Sequence, residues 1–515
     1  MKTSTLNRRD ALGMLAAGSA LTLSASTAAN AATAPAASPA TTATTATTAS
    51  TAASPAPRAI QSAAWNEPLS TYISTSQSAA IPEETRELAR RHILDTLAAI
   101  VACRDLEPAV LARKFVMDHS AGSTAAPLLG THERRALLDA VLASGMTVHA
   151  AEINDFCPSA YTQPGASVIP ATLCIGDMRN ASGEAFLRAM IVGYEIACRL
   201  PKALGIANMR SAVLANHGVG PLFGSAAAAA SLIRMPREKL VHVFSYCVEQ
   251  ASGSWHWLRD VEHIEKAFVF GGMPGRRGAE CALMVEAGFT GIGDPFKGDP
   301  GWLNSSIFTG ATSDFNPQYM TDKLGERFEL PLVGYKRYPV GGPTQPVIEL
   351  MLELIKEVPR ARVRHVRIEM PGRTGAFAAA EMPALNLPYL CSIILADGKL
   401  DFVAAQSRER FLTDTKIRAF MRNVEVIHDQ KQEAEPRIES ARVILTLDDG
   451  SKRERFLDHV KGFPAHPFER KDVEEKALEL MAPNVGAARA REICAAAWRV
   501  EKIPSVRELV QLIAR

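Results

Sequence analysis

Five consecutive alanines, Ala226–Ala230, constrain this chain most. Side chains that small let neighbours approach closely, so the run predicts a helix packed tightly on several sides. Helical patterning dominates the sequence around it. Pro82 suits a first helical turn, and Glu83 and Glu84 favour the positive end of the helix dipole. Ile93, Leu97, Ile100 and Val101 then recur at helical spacing, as one buried stripe. Similar patterns at about 134–147, 183–199 and 222–233 continue to about 288.

The texture changes near 330. Val366, Ile368 and Met370 alternate with Arg367 and Glu369, as on a strand with one wet face. Val424–Ile427 is a second strand. Val443, Leu445 and Leu447 lead into Asp449-Gly450, a strong hairpin signal, and a charged return strand through Phe456. Helical patterns at 346–356 and 408–422 complete an α+β module. After about 460 the helical pattern returns: Val473, Ala477, Leu480 and Met481 share a face, and Ser505 with Glu508 predicts a capping box. The expected fold is mainly α with an α+β lid: a large all-helical domain (64–328), completed by C-terminal helices (458–515), with the lid (329–457) inserted between. Clefts between such domains favour small-molecule sites.

Polar chemistry collects in His149-Ala-Ala-Glu152-Ile-Asn154-Asp155-Phe-Cys157, followed by Tyr161, Gln163-Pro-Gly165 and Pro170, which is expected to open the next helix. A loop held between helices is a common place for functional groups. His217 stands among Gly218, Gly220 and Gly224 at a predicted helix start, a setting suited to anions. These glycines have the wrong spacing and no preceding strand for a dinucleotide fingerprint. Lys266 precedes an apolar run and then glycines, as a buried cation facing an anionic substrate would. Tyr335-Lys336-Arg337-Tyr338-Pro339 places two cations at a Pro/Gly-rich hinge that continues to Thr344 and Gln345. Tyr389 is positioned to deliver a phenol to an interdomain cleft. Gly-x-Ser-x-Gly, His-Glu-x-x-His and zinc-site Cys/His spacings do not occur.

Residues 1–31 have the order of a twin-arginine signal peptide. Arg8-Arg9 precedes an Ala-rich apolar run shorter than the ~20 residues that span a bilayer, and small residues end it. Residues 32–58 are nearly all Ala, Thr, Ser and Pro, a composition expected of a disordered linker. The expected location is periplasmic or secreted, with no membrane span in the mature protein. The net charge of +2 resides in the leader, which removes an electrostatic case for nucleic acid. The eight cysteines are widely spaced, mostly in apolar helical runs, and predict buried thiols.

Taken in order, these motifs resemble the MmgE/PrpD family from about residue 66 onward. The opening loop is similar to that family's His-x-x-Asp-x-Asp-Asp…His-Pro-Gly-Ala segment, and His217 falls on its Gly/His helix start. Lys266-Ala-Phe-Val-Phe-Gly-Gly resembles Lys-x-x-His-x-Gly; Tyr335–Pro339 and Leu387-Pro-Tyr389 resemble its hinge and Ser-x-x-Tyr segments. The resemblance implies a homodimer without required metal or organic cofactor, acting on a bond next to a substrate carboxylate. It also implies His217 as acid/base, with Lys266, Asp155 and Tyr389 as further catalytic residues. Glu152, Gln163, Lys336 and Gln345 are the implied substrate-binding residues. The departures are Glu152 and Asn154 for aspartates, and Gln163, Gln345 and Val269 for histidines. The leading expectation is a dehydratase-type lyase on a small (poly)carboxylate. Alternatives are an epimerase, isomerase or decarboxylase on a related substrate, and a non-catalytic carboxylate-binding protein.

Overall fold

The computed structural model describes residues 64–122, 125–298, 301–310, 313–433 and 439–515; the expected leader and linker lie outside them. Helices α1 (Asn66–Thr75), α2 (Glu83–Cys103) and α3 (Glu107–His119) come first. Pro82 is the N-cap of α2, and residues 92–103 are buried all round rather than along one stripe. A two-residue ribbon, β1 (Ala126–Pro127) with β2 (Arg134–Arg135), occupies part of the predicted 134–147 helix. α4 (Leu137–Val148) starts after it.

The central layer is α5 (Gly165–Arg179), α6 (Gly183–Leu204) and, after the short α7 (Ile206–Ser211), α8 (Asn216–Leu232). α8 carries the alanine run, and every one of its residues is buried. Close approach explains its composition: a Cβ on Gly224 would meet the Gly193 carbonyl at 2.5 Å and the Ala197 Cβ at 2.7 Å. α9 (Arg237–Gln250), the one-turn α10 (Ile264–Ala267) and α11 (Met273–Glu286) follow. A π-turn over Phe268–Gly272 joins the last two.

After the short α12 (Ser306–Thr309) and the 335–344 hinge, α13 (Gln345–Glu357) opens the lid. Its four-stranded sheet has the order β4–β3–β5–β6, built from β3 (Val363–Met370), β4 (Val424–His428), β5 (Ala441–Leu447) and β6 (Lys452–Leu457). β3 and β4 are parallel, and the other pairs are antiparallel. Val366 pairs with Leu445 and Ile368 with Val443. These residues are buried with α13 and α15 (Leu387–Asp397) in the lid's own core. α14 (Gly375–Ala378) and α16 (Phe402–Gln406) are single turns. The predicted 408–422 helix is split into α17 (Arg408–Thr413) and α18 (Thr415–Met421), because Asp414 turns extended and caps the second piece.

α19 (Arg470–Val485), α20 (Ala487–Trp498) and α21 (Arg507–Ile513) rejoin the helical core. The predicted Ser505/Glu508 capping box does not form. Ser505 bonds Asn180 and Glu508 pairs with Arg499, while a capping box does form at Glu469 and Asp472. All eight cysteines are buried thiols.

Candidate active site

α4 ends against the π-turn because glycines face each other there. A Cβ on Gly145 would lie 2.5 Å from the Gly271 carbonyl, and one on Gly271 would overlap the Gly145 carbonyl. Backbones this close bring the polar loop after α4 beside Lys266 and Phe270. π-turns carry an extra backbone residue and recur at functional sites. The loop runs to Gly165, where α5 starts; Pro170 lies inside that helix rather than at its head.

Glu152 is the hub. Its Oε2 accepts a bond from Lys336 Nζ at 2.9 Å, and Oε1 accepts from Lys266 Nζ and from His263 Nε2 at 3.0 Å. His149 Nε2 lies 3.7 Å from the same Oε1. All five side chains are buried. They come from three separate stretches: the loop after α4, α10 with its N-cap, and the hinge. Burial alone would raise the Glu152 carboxyl, but the ammonium groups of Lys266 and Lys336 outweigh it and hold it well below the usual range. Burial and the neighbouring Lys336 charge push the Lys266 ammonium down, against the pull of Glu152.

His217, in the first turn of α8, stacks on Phe270 with ring centroids 3.8 Å apart. Trp257 meets it edge-on at 5.4 Å, and Trp255 and Tyr161 lie at 5.7 and 5.5 Å. Neither imidazole nitrogen has a hydrogen-bond partner. Burial, then the charge of Lys266, holds His217 well below its usual value, so it is a neutral base at ordinary pH. His149 is depressed in the same way, burial first, and stacks on the same Phe270 ring. Other buried polar atoms here also lack partners: Gln163 Oε1, Thr162 Oγ1, Asn216 Oδ1, Trp257 Nε1 and His263 Nδ1. Unpaired donors and acceptors gathered in one buried place mark it as a candidate ligand site.

Of the residues expected from sequence, Glu152, Lys266 and Lys336 meet directly, and His217 joins them through Phe270 and Trp257, whose rings also face Lys266 Nζ at 5.1 and 4.7 Å. Gln163 is buried on the loop beside Tyr161 with its carbonyl oxygen unpartnered. The others are placed differently. Asp155 accepts bonds from Gly165 N at 3.2 Å and Tyr194 Oη at 2.7 Å, so it anchors the start of α5 and its partners lie outside the lysine cluster. Gln345 clamps the hinge backbone, accepting from Tyr338 N and donating to the Tyr338 and Val340 carbonyls. Tyr389 is buried in the lid core, donates to the Ala404 carbonyl at 2.7 Å and packs edge-on against Phe411. Its phenol does not reach a cleft, because the N-terminal turn of α15 faces the lid's interior.

His263, three residues before Lys266, pairs with His256 in sequence without metal-site spacing, so its place in this cluster is not evident from the sequence, and neither is that of the Trp255-His-Trp257 pair. A tryptophan pair in a polar turn was the available signal. Lys476 was overlooked. From α19 it donates to Asp95 Oδ1 at 2.6 Å and to the Ile153 carbonyl at 2.8 Å, supporting the loop from below.

His149, Glu152 and His263 converge closely enough to hold a metal ion. Two ammonium groups already neutralise Glu152, so the local field favours an anion over a divalent cation. A cavity of about 220 Å³ between body and lid, lined by His263, Glu262, Met382 and Arg408 among others, leads to this cluster. No curated protein matches the chain. Residues 67–315 match the MmgE/PrpD N-terminal domain and residues 338–500 the MmgE/PrpD C-terminal domain, so the chain belongs to the MmgE/PrpD family.

Proposed function

We propose that the chain is a dehydratase-type lyase, with His217 as its base and Lys266 and Lys336 as its carboxylate-binding and charge-stabilising groups. Family membership implies a carboxylate-acting, lyase-type enzyme. The observation that carries the finer reading is a neutral, unpartnered histidine beside two buried ammonium groups that share one carboxylate. An α-proton is acidic only if the enolate-like charge left behind is stabilised, and preorganised cations in a dry site do this best.

The substrate carboxylate takes Lys266, and then Lys336, from Glu152. This arrival also compensates the Lys266 charge that depresses His217, so the base strengthens when substrate is present. His217 then takes the α-proton. The C–H electron pair forms the new double bond, the C–O bond at the β-carbon breaks, and the hydroxyl leaves as water with the proton from the imidazolium. Glu152 holds the lysines in place between turnovers and receives them back.

Incubation of a β-hydroxy acid in deuterated water tests this. An alkene chromophore and its loss in His217→Ala are expected. Deuterium entering unconverted or inverted substrate without alkene would replace elimination by epimerisation. The Arg8-Arg9 leader supports export; fractionation is expected to find the protein in the periplasm, and in the cytoplasm when both arginines become lysine.

A further inference from the structure

The rings around His217 form a box. Tyr161, Trp255, Trp257 and Phe270 surround the imidazole, with Trp255–Trp257 centroids 5.5 Å apart and Trp257 meeting Phe270 edge-on at 4.8 Å. Val269 and Ala215 complete an apolar cluster separate from the two main cores. Ordinary core packing is a poor account of it. A core tryptophan normally pairs its indole N–H, yet Trp257 Nε1 is buried without a partner, as are both nitrogens of the enclosed base.

Charge points the same way. In the cluster that shares Glu152, Lys266 and Lys336 carry two positive charges and Glu152 cancels one, so one substrate carboxylate neutralises that cluster; a further cation, Arg210, stands outside the rings. A second carboxylate placed inside the box, rather than outside it at Arg210, would lie against ring faces, whose quadrupoles repel anions. The outer rings sit in the loop after α4 and the turn after α9, outside the α-helices. Tyr161 is in the left-handed region at φ +49°, and Trp255 lies on a turn joined to the body by the Leu214–Ser254 bridge, by Ala215 N donating to the Gly253 carbonyl and by Trp255 Nε1 donating to the Leu214 carbonyl at 3.0 Å. The inner members, His217 and Phe270, are on α8 and the π-turn. The Arg210 guanidinium stands 4.4 Å from the Trp255 ring centroid and 5.7 Å from that of Tyr161, on the outer side of the box.

We propose that this site selects a monocarboxylate bearing a planar aromatic group at its β-carbon, with the ring received by Tyr161, Trp255 and Trp257 and the carboxylate by Lys266 and Lys336. This rests on the carboxylate-lyase reading above. The matching reaction is conversion of a 3-hydroxy-3-arylpropanoate to the arylacrylate: the C2–H bond breaks to His217, the C2–C3 double bond forms, and the C3 hydroxyl leaves as water.

Titration of the full chain with cinnamate, as the product-like aromatic acid, and with tricarballylate, as a saturated tricarboxylate, tests it by calorimetry and tryptophan quenching. Cinnamate is expected to bind at least tenfold more tightly. Trp255→Ala should erase that preference, Trp255→Phe should keep most of it, and Lys266→Ala should weaken both acids. The comparison in the unaltered protein stands even if a variant misfolds. Cinnamate binding no tighter than tricarballylate would overturn the aromatic selection, while binding of tricarballylate that still requires Lys266 would leave the lyase reading intact. If neither acid binds in a Lys266-dependent manner, both readings fall.

Discussion

Glu152 shows how one methylene changes a site. The family pattern has aspartate at this position. The longer side chain here reaches Lys266, Lys336 and His263 together. Removing its charge would leave two buried ammonium groups uncompensated, at a cost of about 3–5 kcal/mol. Glu152→Gln is therefore expected to lower the melting temperature sharply, and adding Lys266→Met should recover part of the loss; calorimetric melting of the two variants checks this. Acid should act on the same group of residues. Folded His149 and His217 stay neutral below their usual value of 6.5, whereas the unfolded chain takes up those protons near it. Stability is therefore full above about pH 6.5 and falls below it, by up to about 1.4 kcal/mol per pH unit for each histidine. Glu152, depressed when folded, adds stability that is present above about 4.5 and lost as pH falls through its lower folded value. All three effects weaken the fold on the acid side. Melting temperatures from pH 7 to pH 5 should fall steadily, and His217→Phe should flatten the slope. At this scale the sequence disclosed residue types but not directions. Lys266, Lys336 and His217 were legible because each stands out from apolar or glycine-rich surroundings. Asp155 was not, because no periodicity in an irregular loop says which of two carboxylates three residues apart turns toward the lysines.

Elements carry these residues into register. Lys266 and Phe270 flank or lie on the π-turn, which is held against α4 by the Gly145–Gly271 contact. Gly271→Ala would press a methyl group onto a carbonyl and is expected to cost about 1–3 kcal/mol, as overpacking generally does. The displaced turn would also move the ammonium group. Activity should then fall by tenfold or more even at temperatures where the variant is fully folded, which paired melting curves and kcat/KM measurements would show. Retained kcat/KM in a destabilised variant would mean that the turn's position is immaterial. Helices and strands with clear period were legible from sequence. Their ends were less so where a cap decided them. Asp414 split one expected helix, the Ser505/Glu508 pattern found other partners, and α5 began at Gly165 because Asp155 accepts its first amide. The Ser505 outcome depends on Asn180, far away in sequence, whereas Asp414 caps amides two and three residues on, a local bond that competes with the helical pattern.

The whole molecule places a helical body and a lid around one buried cluster, and Lys336 on the hinge is the lid's connection to it. That division was legible because alternation replaces helical period near 330 and reverts after 460. The lid's closing contact was not legible: Arg408 of α17 pairs with Glu262 beside His263, at the rim of the cavity that leads inward. The cavity, about 220 Å³, is smaller than the ~300 Å³ at which small-molecule pockets generally begin, so a ligand larger than it enters by widening the gap between lid and body. The Arg408–Glu262 pair is nearly half exposed on both sides, and such pairs contribute roughly 0–1 kcal/mol. If this pair resists opening, Glu262→Gln should speed ligand entry by no more than about fivefold, the rate equivalent of 1 kcal/mol. High salt should speed the unaltered protein toward the same value, because exposed pairs are screened. Stopped-flow tryptophan quenching reads both effects, since Trp255 and Trp257 line the destination. An entry rate indifferent to Glu262→Gln, to Arg408→Gln and to salt would show that the lid opens elsewhere and that this pair does not gate the site.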